Sequence, residues 1–253
     1  MSKIRFTEPN REILARRDSI INDLTRLVDP AGLITSADEC RAYETDALTA
    51  YRKMPLAVVL PKTTEEVSAV LKYCHDTGVK VVPRGAGTSL AGGAIPSEDA
   101  VVLGLSKMNR VLAVNYDDRF IRVEAGVTNL SVTAVVAENG FFYAPDPSSQ
   151  LACTIGGNIA NNSGGAHCLK YGVTTSNLLG VRMVLVDGSI IDLGGDYLDS
   201  AGLDLLGLVV GTLVGMLVAA INQTTVTTVL PTIASDLHGF DLYTWVFTAS
   251  MLS

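Results

Sequence analysis

The chain has 253 residues, a formal net charge of −7 and 48% hydrophobic side chains. The acidic balance argues against a nucleic-acid partner, whose phosphates reward a basic face. Four scattered cysteines, Cys40, Cys74, Cys153 and Cys168, form no C-x-x-C pair. They give no support to a zinc ribbon or dithiol redox site and fit a reducing compartment.

The N-terminus is charged throughout and lacks the apolar core of a signal peptide, so a cytosolic start is expected. Across residues 11–28, Ile13, Leu14, Ile21, Leu24, Leu27 and Val28 fall near helical spacing and predict one helix, stopped by Asp29-Pro30. A loop follows. Residues 56–60 read as a buried strand, and Thr63 with Glu66 predicts a capping box for a helix reaching about His75. Gly78 breaks that helix and residues 79–82 form a second strand, completing a β-α-β unit that feeds straight into a glycine-rich loop. Further strands are expected at residues 100–105, 111–115 and 120–124, and a helix at 130–139. Residues 181–192 predict a hairpin whose Asp187-Gly188 suits a type I′ turn. Strands and helices mix without strict alternation, which predicts α+β layering.

Residues 83–94 read PRGAGTSLAGGA. Glycines there permit close backbone approach, and successive N–H groups in such a loop converge on an anion such as a diphosphate. The pattern is neither an ATPase P-loop nor the Rossmann G-x-G-x-x-G. Alone, it is equally compatible with a mobile Gly/Ser loop. Residues 154–165, TIGGNIANNSGG, add a second cluster, preceded by APDPSS and followed by KYG. Two such loops in one domain suit the two ends of a long ligand.

These motifs, with GGDYLDSAGLDLLGLVVG at residues 194–211, resemble the FAD-linked oxidases of the vanillyl-alcohol oxidase type. Within that group the chain is similar to the flavin subunit of bacterial glycolate oxidase and its D-lactate and D-2-hydroxyglutarate dehydrogenase relatives. The resemblance implies an α+β, two-subdomain FAD-binding domain of the PCMH type over residues 38–211, after an N-terminal helical segment at residues 1–37. It puts Arg84, Gly85, Ala86, Gly87, Thr88 and Ser89 around the pyrophosphate. Pro145, Thr154, Gly156, Gly157, Asn158, Ser163, Gly164 and Gly172 would line the rest of the flavin. Some relatives tether FAD through a histidine in the first loop; Thr88 stands in that place, so non-covalent FAD is expected. The implied chemistry is oxidation of a 2-hydroxy acid such as glycolate or D-lactate. Electrons would leave to a partner subunit or a membrane acceptor.

The family pattern breaks after Gly211, which predicts a C-terminally truncated flavin domain without its substrate domain. No catalytic residue is assigned. The histidines, His75, His167 and His238, are too scattered to predict a metal site. Residues 205–235 carry no charged side chain, and residues 205–230 are expected to form a transmembrane helix. Residues 212–253 resemble the first transmembrane helix, and a stub of the second, in drug:proton antiporters of the major facilitator superfamily. Asn222 stands where many of those carry Asp. A membrane-associated protein with a cytoplasmic N-terminal domain follows, or a cytoplasmic one if the tail is buried. The alternatives are a transporter fragment or an inactive fusion of two unrelated pieces.

Overall fold

A computed structural model of the protein describes residues 8–196 and 203–208. The helix expected over residues 11–28 is two helices, α1 (Arg11–Ala15) and α2 (Arg17–Leu24), separated at Arg16 with ψ of 8°. The Arg16 N–H reaches the Ile13 carbonyl three residues back, which tightens the chain and ends α1. Arg17 explains the new direction, since its guanidinium donates to the Thr35 and Leu56 carbonyls at 2.7 and 3.2 Å. Ile13, Ile20 and Leu24 all reach the core as a result.

The segment expected to be a loop carries β1 (Leu33–Ile34) and α3 (Ala37–Cys40). Beyond it come β2 (Ala57–Val59), α4 (Thr64–Thr77), β3 (Lys80–Arg84) and β4 (Ala100–Gly104). These strands form one sheet in the order β1-β2-β4-β3, with β2 and β3 both parallel to β4 and β1 antiparallel to β2. The β2-α4-β3 unit is therefore split: β4 lies between its strands. Alternate residues of β2 and β4 enter opposite cores. Ala57, Val59, Val101 and Leu103 pack with α2 and α4, while Val58 and Val102 pack with Cys40 and Leu60. Burial on both faces explains why these strands read as unbroken apolar runs. Thr63 Oγ1 accepts the Glu66 N–H at 3.2 Å, as the capping box predicts, but the Glu66 carboxylate accepts from Lys62 N–H instead of Thr63. Gly78 ends α4 at φ 73°.

Two separate antiparallel hairpins follow, β5 (Val111–Asn115) with β6 (Phe120–Val123), and β7 (Gly180–Val184) with β8 (Ile190–Gly194). Between them run α5 (Asn129–Val136), α6 (Ile155–Asn161) and α7 (Cys168–Tyr171). The β7–β8 connection is not a type I′ turn, which needs two residues at positive φ; only Gly188, at 84°, has it. The connection is instead a three-residue loop: Gly188 N–H donates to the Leu185 carbonyl at 2.9 Å, Leu185 N–H donates to the Ser189 carbonyl at 2.8 Å, and Gly188 takes the left-handed position. Ser68 Oγ donates to the Gly188 carbonyl at 2.5 Å, and a Cβ on Gly188 would lie 2.7 Å from Lys72 Cβ and the Ser68 carbonyl.

Among the described residues, no helix is long and apolar enough to cross a membrane. Residues 205–208 are helical. The rest of the transmembrane helix expected over residues 205–230, the transporter-like tail at 212–253, Asn222 and His238 lie outside the described residues.

Candidate functional site

The parallel strands β3 and β4 deliver Arg84 and Gly104 to the same sheet end, where open α/β sheets bind ligands beyond the strand carboxyl ends. Arg84 does not extend outward. Its guanidinium turns under the glycine-rich loop, donates to the Thr45 carbonyl at 2.7 Å, and lies 5.6 Å from the centre of the Tyr43 ring. Burial lowers its pKa, and the charge of Asp46 opposes that. A Cβ on Gly87, whose φ is 70°, would collide with this guanidinium. Beyond it, the backbone amides of Ala86, Gly87, Thr88, Ser89 and Leu90 donate no hydrogen bond among the described residues.

The second glycine cluster meets the first. A Cβ on Gly85 would lie 2.6 Å from Thr154 Oγ1 and 3.7 Å from Gly157 Cα. The contact is built through backbone bonds that sequence reading passed over. Leu105 N–H donates to the Arg84 carbonyl at 3.0 Å and Gly126 N–H to the Met108 carbonyl at 2.7 Å. Ile155 and Gly156 N–H donate to the Val127 and Ala125 carbonyls, each at 2.9 Å. Residues 125–128 thus hang α6 from the first sheet. Thr154 caps α6, its Oγ1 accepting Gly157 N–H at 3.3 Å. Gly156 leaves no room for a side chain, since its Cβ would lie 2.9 Å from Ala125 Cβ. Asn158 is 2% exposed, and its Nδ2 has no partner among the described residues. An orphaned buried donor costs about 1–3 kcal/mol, so it fits a ligand acceptor.

The remaining predicted residues form a neighbouring group. Pro145 is buried, its carbonyl accepting Asn129 Nδ2 at 3.0 Å. Asn129 itself is 1% exposed, and no spacing in the sequence signalled it. The Ser163 carbonyl accepts both the N–H and the Oγ1–H of Thr174, at 2.9 and 2.7 Å. Gly164 packs on Val173 and Cys168, and Gly172 turns the chain at φ 77° after α7. Asp146 and His167 join the two segments. His167 Nδ1 lies 2.5 Å from Asp146 Oδ2, and the His167 N–H donates to Asp146 Oδ1 at 3.2 Å. The hydrogen bonds from His167 hold the Asp146 carboxyl below the usual carboxylate range. Thr88 and Ser89 remain partly exposed at the rim of the first loop.

No group of three or more His, Cys, Asp or Glu side chains that could hold a metal ion occurs among the described residues. A cavity of about 630 Å³ lies under α4, lined by Val67, Leu71, Val81, Leu105 and Val184, and none of the fourteen predicted residues lines it.

Two convergent glycine-rich loops with free amides fit a dinucleotide, and comparison with known proteins agrees. Residues 55–194 match the family described as FAD binding domain. The chain belongs to that family. FAD is accordingly its cofactor. The chain is 48% identical over 196 residues to "Glycolate oxidase subunit GlcD" of Escherichia coli (strain K12), covering 78% of this chain and 39% of that subunit. It is 39% identical over 196 residues to "D-lactate dehydrogenase" of Archaeoglobus fulgidus, covering 77% of this chain and 43% of that protein. This chain therefore spans less than half the length of these relatives. Among solved structures, alkyldihydroxyacetonephosphate synthase aligns with a TM-score of 0.68 at 21% identity, covering 83% of this chain and 39% of that one. That likeness supports the α+β FAD-binding fold.

Proposed function

We propose that the first loop holds the FAD diphosphate on the amides of Ala86, Gly87, Thr88 and Ser89, and that Arg84 and Gly85 set the shape of that loop. Thr154, Gly156, Gly157 and Asn158 meet the ligand from the facing loop, with Pro145, Ser163, Gly164 and Gly172 lining its flavin end. The single observation that carries this reading is the approach of Gly85 to Thr154 and Gly157, which makes one cradle of two separate motifs. Binding is non-covalent, because residues 83–94 contain no histidine. Acid precipitation should leave all the flavin in the supernatant.

The function we assign is that of the flavin-binding part of a 2-hydroxy-acid oxidoreductase acting on a substrate such as glycolate or D-lactate. The glycolate oxidase and D-lactate dehydrogenase relatives support that class. Bound FAD supplies the two-electron oxidant. The chain's own residues orient it, through fixed amides and buried polar groups. Electrons would pass on to a partner subunit or a membrane acceptor. Visible absorbance of the purified chain tests this reading: bleaching of bound flavin by glycolate or D-lactate supports the assignment, and colour that neither substrate bleaches restricts the chain to cofactor binding. A second reading, attachment to a membrane through residues 205–230, is favoured by the uncharged run there. Release of the chain from membranes by alkaline carbonate would refute that attachment.

A further inference from the structure

The second group of residues offers a base for the hydroxyl proton of such a substrate. We propose that His167, held by Asp146, is the proton acceptor that serves the bound FAD. This rests on the reading that flavin lies along the segments containing Pro145 and Gly164. Asp146 directly follows Pro145 in one segment, and His167 lies three residues beyond Gly164 in the other. One carboxylate grips the histidine twice, through the backbone N–H and through Nδ1. That grip fixes the ring and makes Nδ1 the donor, so the lone pair sits on Nε2. The His167 side chain is 67% exposed, which leaves Nε2 open to a small molecule. Gly165 has no space for a side chain, because its Cβ would fall on the Asp146 carboxylate and carbonyl. The loop is closed around the acid.

Among the described residues, Asp146 is the charged group in contact with the ring. On α7, Cys168, Lys170 and Tyr171 follow in sequence, and the Lys170 ammonium is directed over the Tyr171 ring, 4.8 Å from its centre. In the step assigned, the C–H bond at the carbinol carbon breaks and its hydride passes to FAD. The O–H bond breaks and its proton passes to His167 Nε2, as the carbon–oxygen double bond forms. The hydroxy acid is oxidised to the 2-oxo acid, FAD is reduced by two electrons and one proton, and the second proton resides on the imidazole.

Proton uptake by His167 can be read without substrate. The FAD-loaded full chain is titrated spectroelectrochemically between about pH 6 and 8, where imidazole changes charge. Each proton taken up with two electrons lowers the midpoint potential by about 30 mV per pH unit. The wild type should show about 60 mV per unit and His167→Gln about 30 mV per unit, a loss of one proton. Asp146→Asn keeps a hydrogen-bonding side chain but removes the charge, so the steeper slope should give way at a lower pH; it also serves if His167→Gln fails to fold. A purely structural histidine would alter flavin content and leave the slope alone. Equal slopes in the wild type and both variants overturn the inference while leaving FAD binding intact. A folded wild-type chain that takes up no FAD overturns this inference together with the reading beneath it.

Discussion

Replacing Gly87 by alanine tests how the first loop is held. Two costs arise. The residue sits at φ 70°, where an L side chain costs about 1–2 kcal/mol. The added methyl also collides with the Arg84 guanidinium, loosening its hydrogen bond to the Thr45 carbonyl. A charged hydrogen bond contributes about 1.5–3 kcal/mol, of which partial relaxation recovers some. The loop can escape both costs by moving away, so the apoprotein loses little stability, but FAD must then restore the strained shape. The sum is about 3 kcal/mol, or roughly 100-fold weaker FAD binding at 1.4 kcal/mol per tenfold. Gly78→Ala is the matched control, because it has the same backbone requirement, φ 73°, with nothing within 4 Å of its Cβ. That variant should lose about 1–2 kcal/mol of stability and bind FAD as the wild type does. Quenching of FAD fluorescence, with thermal melts of both apoproteins, measures the two effects. Unchanged FAD affinity in Gly87→Ala would refute the reasoning.

Two further predictions follow from groups outside the cradle and at its cap. Asp99, 1% exposed, is destabilised as an anion by burial, but hydrogen bonds from Lys80, Ser97 and the Asn10 N–H outweigh that and hold its pKa at about 2. Its folded pKa is lowered, so its contribution is complete above the unfolded value near 3.8 and disappears as pH falls towards 2. The drop of nearly two units corresponds to about 2 kcal/mol, and urea midpoints of Asp99→Asn should therefore change less than those of the wild type between about pH 4 and 2. Thr154→Ala removes the α6 cap and should cost about 1 kcal/mol in chemical denaturation, with weaker FAD binding because Gly157 loses its anchor.

The fold was legible where one local rule decides the structure. The runs around Val58 and Val102 are continuous because two cores claim alternate faces, and Gly78 stops α4 because nothing else tolerates that φ cheaply. Long-range docking hid the rest. Nothing near Arg16 announces that Arg17 will bind Leu56 and redirect the chain. The type I′ expectation at Asp187-Gly188 failed because the loop holds three residues, 186–188, with Gly188 alone left-handed, and Ser68 on α4 bonds its carbonyl. The insertion of β4 between β2 and β3 is a topological choice that the pattern of strands does not encode. At the site, glycine content marked both loops, yet their meeting point depends on backbone bonds from residues 125–128. Asn129 and the pairing of Asp146 with His167 had no sequence signal, since each bond spans 16–21 residues.

The meeting of the two loops at Gly85 is the claim on which the cofactor site depends. Equilibrium dialysis of FAD against wild-type chain and Gly85→Val measures it, with circular dichroism to establish that both are folded. Valine places its Cβ 2.6 Å from Thr154 Oγ1, so the threonine must leave its capping position and the branched methyls fill the space between the loops. The wild type should take up one FAD per chain and the folded variant none. Equal uptake by both would contradict a cradle shared between residues 84–89 and 154–158.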